Sequence, residues 1–174
     1  MNNKKVFENV WRLIVFGNVS AGMYFLFKNL GENTIKAFLD IYKGAVELFF
    51  GNYHYYNAWQ KPNGYVGNGY IISDKCLGLN IIVLIFMLLY AVVIWRFKGF
   101  KQIIGIIASG AAAVIIGVLA NILRLLSSVY FAAFAKFEMI HALLGIVIYL
   151  SVLILCYVLS KKIFIDTKVG EDNE

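Results

Sequence analysis

Proline occurs once in the 174 residues, cysteine and histidine twice each, and only 15% of the chain is charged. An ordinary soluble domain carries about 25% charge, so there is too little here to solvate a normal globular surface. Two cysteines exclude a disulfide scaffold. Two histidines and two cysteines are too few for a closed structural zinc site, and no metal or cofactor is expected. A phosphate loop, HExxH, CxxC and a serine nucleophile elbow are all missing. What fills the chain instead is apolar: 61% of residues, with 14 Phe and 11 Tyr and a mean hydropathy of +0.74. Disorder and a coiled coil are thereby excluded. The net charge of +6 would suit nucleic acid, but the basic residues stand at the ends of apolar runs. Membrane lipids, and no nucleic acid, are the implied surroundings.

Uncharged runs locate the spans. Residues 76–95 lie between Lys75 and Arg96, residues 102–123 between Lys101 and Arg124, and residues 139–160 between Glu138 and Lys161. Each can cross about 30 Å of hydrocarbon at about 1.5 Å per residue. A fourth run, from Val10 to Leu30, needs Arg12 and Lys28 to snorkel at its ends. It has no small-residue cleavage site after Gly22 and is expected to stay as a span. The expected fold is an all-α polytopic bundle of about four spans, at 10–30, 76–95, 102–124 and 139–160, forming one integral domain over 1–174. Lys4, Lys5 and Arg12 precede the first span, Arg96, Lys98 and Lys101 fill the second turn, and Lys161, Lys162 and Lys168 follow the last. By the positive-inside rule both termini are cytoplasmic in a multi-pass cell-membrane protein. Segments 31–75 and 125–137 are then external.

The first external segment divides in two. Over 34–50, Ile35, Phe38, Ile41, Ala45 and Phe49 keep a helical period opposite Lys36, Asp40, Lys43 and Glu47. This spacing predicts an amphipathic interfacial helix, the alternative being a kinked extension of the first span. Residues 51–75 hold Gly51, Gly64, Gly67, Gly69 and Pro62, which disfavour a helix. Tyr53, Tyr55, Tyr56, Trp59, Tyr65 and Tyr70 point to short strands or an ordered aromatic loop at headgroup depth.

Depth singles out three residues. Cys76 opens the second span at the outer boundary. Arg124 follows the inner Lys101 by 23 residues, about 34 Å along a helix. His141 begins the fourth span from the same side. A nucleophile, a base and a cation thus reach one membrane level, a reactive constellation. Gly105, Ser109, Ala113 and Gly117 form a small-residue face on the third span, and Asn121 continues it. Arg124, three residues further, therefore points into the bundle. Gly145 offers a slim surface beside His141. Each residue also has a plain structural reading: an apolar filler for Cys76, a snorkelling anchor for Arg124, a packing residue for His141. Cys156 lies about 22 Å along the helix from His141 and reads as core. His54 reads as a surface-loop residue.

At Cys76-Leu77-Gly78-Leu79, at Asn121-Ile122-Leu123-Arg124, and at His141 with Gly145, the chain resembles the exosortase/archaeosortase family. These are polytopic membrane cysteine transpeptidases with a Cys, an NxxR-type Arg and a His in this order. The resemblance covers roughly 50–160, in a smaller variant of the kind found in Gram-positive bacteria. Leu77 stands where the family often has Ser or Thr, and larger members carry extra N-terminal spans. The resemblance implies that Cys76 attacks a peptide carbonyl near the transmembrane sorting tail of a client protein. His141 then acts as acid and base, and Arg124 stabilises the oxyanion. Asn121, Gly78, Gly145, Tyr70 and Trp59 support the site or bind substrate, and an amine-bearing lipid or envelope component accepts the client. Two alternatives stay open: a non-enzymatic membrane module for envelope-polymer assembly, and a Cys–His membrane acyltransferase.

Overall fold

The computed structural model describes residues 3–50, 56–58, 64–67, 70–132, 134 and 136–166. Five helices carry the fold of the described residues: α1 Asn3–Lys28, α2 Glu32–Phe50, α3 Leu79–Arg96, α4 Phe100–Phe131 and α5 Phe137–Asp166. Between α2 and α3 lie β1 Tyr56–Ala58, β2 Gly64–Gly67 and β3 Tyr70–Ser73, followed by a 3-10 turn, Asp74–Cys76. Among the described residues, four stretches are long and apolar enough to cross a bilayer: Val6–Lys28, Asp74–Arg96, Phe100–Phe131 and Phe137–Lys162. The chain is thus the all-α transmembrane bundle that its uncharged runs imply. Large apolar side chains such as Ile107, Ile115, Ile146 and Leu150 stand on the helix exteriors, a surface suited to lipid rather than water.

Two boundaries differ from the sequence reading. The third span continues past Arg124 for seven residues, to Phe131, because Leu125–Phe131 contains neither proline nor glycine and one charge does not end a helix. Arg124 consequently sits about two turns inside a helix rather than at its tip. The amphipathic helix α2 is separate from α1, with Thr34 and Ile35 N–H both donating to the Gly31 carbonyl at 3.0 and 3.1 Å. Its buried stripe, however, is Leu39, Tyr42 and Val46, with Ile35, Phe38 and Phe50 partly covered. Ile41 and Phe49, expected on that face, are exposed. Tyrosine's amphipathic ring is what the periodicity missed, since Tyr42 is fully buried.

The chain forms two compact units. One comprises Met1–Lys28, Asn80–Ile116 and Val152–Glu174. In it, Tyr90 stacks on Phe16 and on Phe86 at centroid distances of 5.4 and 5.5 Å. A Cβ at Gly105 would come within 2.7 Å of Val93, so the small-residue face of α4 does admit its neighbour closely. The other unit comprises Asn29–Leu79 and Gly117–Ser151. Its core gathers Leu39, Tyr42, Val46, Tyr65, Ile72, Leu77, Leu125 and Val129. The strands form an antiparallel sheet ordered β1-β2-β3, with Tyr65 opposite Ile72. Opposite partners share a face, and both residues are buried, so this pair faces the core. The Tyr65 hydroxyl donates to Asp40 on α2. Burial, reinforced by that carboxylate, pushes the Tyr65 phenol up to about 12.

Candidate functional site

All three candidates from the sequence fall in the second unit, and two of them touch. Strand β3 leads into the 3-10 turn, which the Leu77 N–H closes onto the Asp74 carbonyl at 3.1 Å. Ile72 and Leu77, 0% and 1% exposed, pin the turn on both sides of Cys76. Leu77 spends its side chain on the core cluster, and its carbonyl accepts the Tyr42 hydroxyl at 2.9 Å. Leu77 therefore puts an apolar anchor directly after Cys76. Gly78 follows with φ +65°, a conformation costly for any residue with a Cβ. A Cβ there would also lie 2.8 Å from the Asn121 amide oxygen and 2.7 Å from the Tyr149 hydroxyl. Glycine at this position lets the chain turn into α3 against α4 and α5.

From Cys76 a continuous chain of hydrogen bonds runs across α4 and α5. The fully buried Asn121 donates from Nδ2 to the Cys76 carbonyl at 2.5 Å. Its Oδ1 accepts the Tyr149 hydroxyl at 2.7 Å. The Tyr149 oxygen in turn accepts Nη1 of Arg124, and Arg124 Nη2 meets Nε2 of His141. Ser128 closes the far end: its Oγ lies 3.0 Å from His141 Nδ1 and 2.6 Å from the Arg124 carbonyl. Phe137, one turn before His141, stacks on the imidazole at 5.3 Å and 15°. Gly145 leaves room for the Arg124 stem, since a Cβ there would sit 3.3 Å from Arg124 Cδ.

Arg124 is only 9% exposed, and no carboxylate lies within ion-pair distance of it among the described residues. Its two bound partners are neutral oxygen and nitrogen atoms, its charge lies over the Tyr149 ring at 5.1 Å, and its Nε–H has no acceptor. A buried cation left this way is expensive. Chemically, such an arrangement can receive negative charge.

Sequence reasoning found Cys76, Asn121, Arg124, His141, Gly78 and Gly145, all of which lie in this arrangement or border it. It missed Tyr42, Ser128 and Tyr149. Tyr149 continues the i, i+4 row His141–Gly145–Tyr149, and Ser128 the row Asn121–Arg124–Ser128, so helical spacing was the available signal. Tyr70 pairs with Gly67 in the sheet. Trp59 and His54 lie outside the described residues. Both cysteines are buried thiols rather than disulfide halves, and Cys156 falls in the first unit, apart from the candidate residues. Among the described residues no cluster of three His, Cys, Asp or Glu could hold a metal. No family model, curated protein or solved structure matches this chain.

Proposed function

We propose that the chain is a membrane-embedded cysteine transpeptidase or peptidase. It cleaves the C-terminal sorting tail of client proteins through a thioester on Cys76 and passes them to a lipid or envelope amine. Its place would be the cell membrane, with the site on the extracytoplasmic side. The observation that carries this reading is the buried, carboxylate-free guanidinium of Arg124, tied through Tyr149 and Asn121 to the backbone carbonyl of a cysteine. A purely structural arginine would be paired or would snorkel. An oxyanion stabiliser must be held still, desolvated and short of one anion. The resemblance of the three motifs to the exosortase/archaeosortase family points the same way.

The chemistry divides into two transfers. The Cys76 sulfur bonds to the client carbonyl carbon while its proton passes to His141 Nε2. Negative charge on the carbonyl oxygen is met by Arg124, through the Nη2 that faces His141 in the resting arrangement. The C–N bond then breaks, the leaving amine takes the proton from His141, and the client is held as a thioester. An acceptor amine attacks that thioester and gives its proton to His141, the C–S bond breaks, and His141 returns the proton to the departing Cys76 thiolate; water in the same role gives hydrolysis. In the resting arrangement Arg124 occupies His141 Nε2 and Cys76 is buried. The client carbonyl must therefore replace His141 as an acceptor for Arg124, which frees the base as the substrate arrives.

Co-expression with candidate clients bearing a C-terminal transmembrane tail, followed by intact mass of the chain, tests this. A Cys76 adduct with the mass of the client's N-terminal fragment, released by hydroxylamine and lost in Cys76→Ala, is the expected result. A fatty-acyl mass on Cys76 would move the protein to the acyltransferases, and an inert thiol would leave the assembly-module reading.

A further inference from the structure

The hydroxyl of Ser128 completes a one-way circuit of hydrogen bonds around His141. A guanidinium has only donors and keeps its proton in proteins. Its contact from Nη2 to His141 Nε2 therefore makes Nε2 the acceptor, and the ring proton must be on Nδ1. Nδ1 lies 3.0 Å from Ser128 Oγ. The serine's single proton is already directed at the Arg124 carbonyl, 2.6 Å away, and a carbonyl can only accept. The Ser128 oxygen is thus left with a lone pair toward Nδ1–H. The opposite polarity fails twice: a proton on Nε2 would face a guanidinium N–H, and Nδ1 would need a second proton from Ser128. Ser128 is 0% exposed, so bulk water does not compete for the hydroxyl.

We propose that Ser128 is a positioning residue that fixes His141 as the Nδ1–H tautomer, leaving Nε2 as the ring's basic nitrogen. Its catalytic use rests on the peptidase reading above; the tautomer itself does not. Once Arg124 turns to the client oxyanion, Nε2 takes the thiol proton, and Nδ1–H keeps its acceptor through the imidazolium stage. Ser128 stands where an acidic partner often orients such a base, and it transmits the pull of the Arg124 backbone carbonyl instead of a full charge. Because that carbonyl belongs to the helix and not to a side chain, the orientation survives the movement of the Arg124 guanidinium.

The test uses the full chain with His54→Gln, purified without a polyhistidine tag, so that His141 is the only histidine. With ring-15N histidine in nanodiscs at pH 8, the nitrogen shifts separate protonated from bare nitrogen. The expected spectrum has the proton on Nδ1. With Arg124→Met removing the donor that faces Nε2, Ser128 should still hold the proton on Nδ1; adding Ser128→Ala should lose that preference, and Ser128→Thr, which keeps the hydroxyl, should restore it. A proton on Nε2 in the starting chain, or an unchanged tautomer when Ser128→Ala is added to Arg124→Met, overturns the proposal. With a processed client in hand, Ser128→Ala should lower kcat about 10-fold with KM unchanged, a part of the 10²–10⁴ that a positioned base supplies. The spectrum needs no client. An Nδ1–H tautomer without any Cys76 thioester would therefore overturn the peptidase reading alone.

Discussion

Arg124 decides more than any other side chain, because two roles compete for it that a conservative change separates. As an anchor at a membrane boundary it would need only charge and length, and lysine would serve. As the centre of the chain linking Tyr149 to His141 it needs a planar fork with several donors in fixed directions, which lysine lacks. Arg124→Lys should therefore slow client processing by roughly 10²–10³-fold, the usual loss for one oxyanion donor. Processed client per unit of folded protein is the readout, and near wild-type turnover would remove Arg124 from the chemistry. Gly78 and Gly145 should then respond unequally to alanine. At Gly78 the new Cβ meets both a left-handed backbone and atoms 2.7–2.9 Å away, which should destabilise by about 2–4 kcal/mol. At Gly145 the nearest atom is a flexible methylene of Arg124 at 3.3 Å, so the fold should hold while processing falls through a displaced guanidinium. Thermal unfolding beside activity separates these outcomes. Cys76, Arg124 and His141 were legible because rare polar types at one computed depth stand out against apolar spans. Ser128 and Tyr149 were not, since serine and tyrosine are unremarkable in such helices until their partners are known.

Elements explain how the proposed nucleophile is held at the start of a span. The spans themselves could be read from uncharged runs, whose length fixes what they can do in a bilayer. The end of α4 could not, because a charged residue looks like a boundary in sequence, while the backbone ladder stops only where hydrogen bonding or φ/ψ forbids it. The stripe on α2 was misread for a similar reason: tyrosine and leucine compete for one face, and contact with the sheet selects Leu39, Tyr42 and Val46. The selected tyrosine links helix to turn through the Leu77 carbonyl. Burial first of all pushes its phenol up to about 12, from an ordinary 10.0. In the unfolded chain Tyr42 loses its proton near pH 10, whereas folded it keeps the proton until about 12. The unfolded state therefore binds fewer protons across that window, and stability must fall as pH rises through it. The loss is negligible below about pH 9 and amounts to about 2–3 kcal/mol by pH 12. Tyr65, held up by burial and Asp40, acts in the same direction. Thermal melts in detergent should thus be flat from pH 7 to 9 and drop steeply above 10. Tyr42→Phe should soften that drop while lowering the melt at neutral pH, because the Leu77 carbonyl loses its donor. A pH slope equal to wild type would refute the burial of that hydroxyl.

At the scale of the whole molecule, the proposed chemistry depends on which side of the membrane Cys76 opens toward. The expected orientation rests on positive charge, and within the first unit the structure draws the basic segments together. Arg12 on α1 donates to the Trp95 carbonyl at 3.2 Å, and Lys98 lies 3.5 Å from Glu8. Lys101 and Ser160 line one cavity of about 490 Å³, which brings the start of α4 beside the stretch that ends in Lys161 and Lys162. The basic ends of α1, α3, α4 and α5 therefore collect at one end of that unit. By the positive-inside rule such an end should be retained on the cytoplasmic side. Since α3 runs from Leu79 to that end, Cys76 at its beginning should be external. A reporter fused after Glu174 should be protected from protease in intact cells, and one inserted at Gly64 should be cut. An impermeant maleimide should reach Cys76 once a client tail or mild heating loosens the turn, and should not reach Cys156, which is buried on a helix crossing the membrane. Both cysteines provide this check without added labels, because the chain has no others. Protection of the Gly64 insert together with exposure of the Glu174 reporter would put Cys76 in the cytoplasm. It would then face no extracytoplasmic client, and the sorting reaction would have to be abandoned even with the hydrogen-bond chain intact.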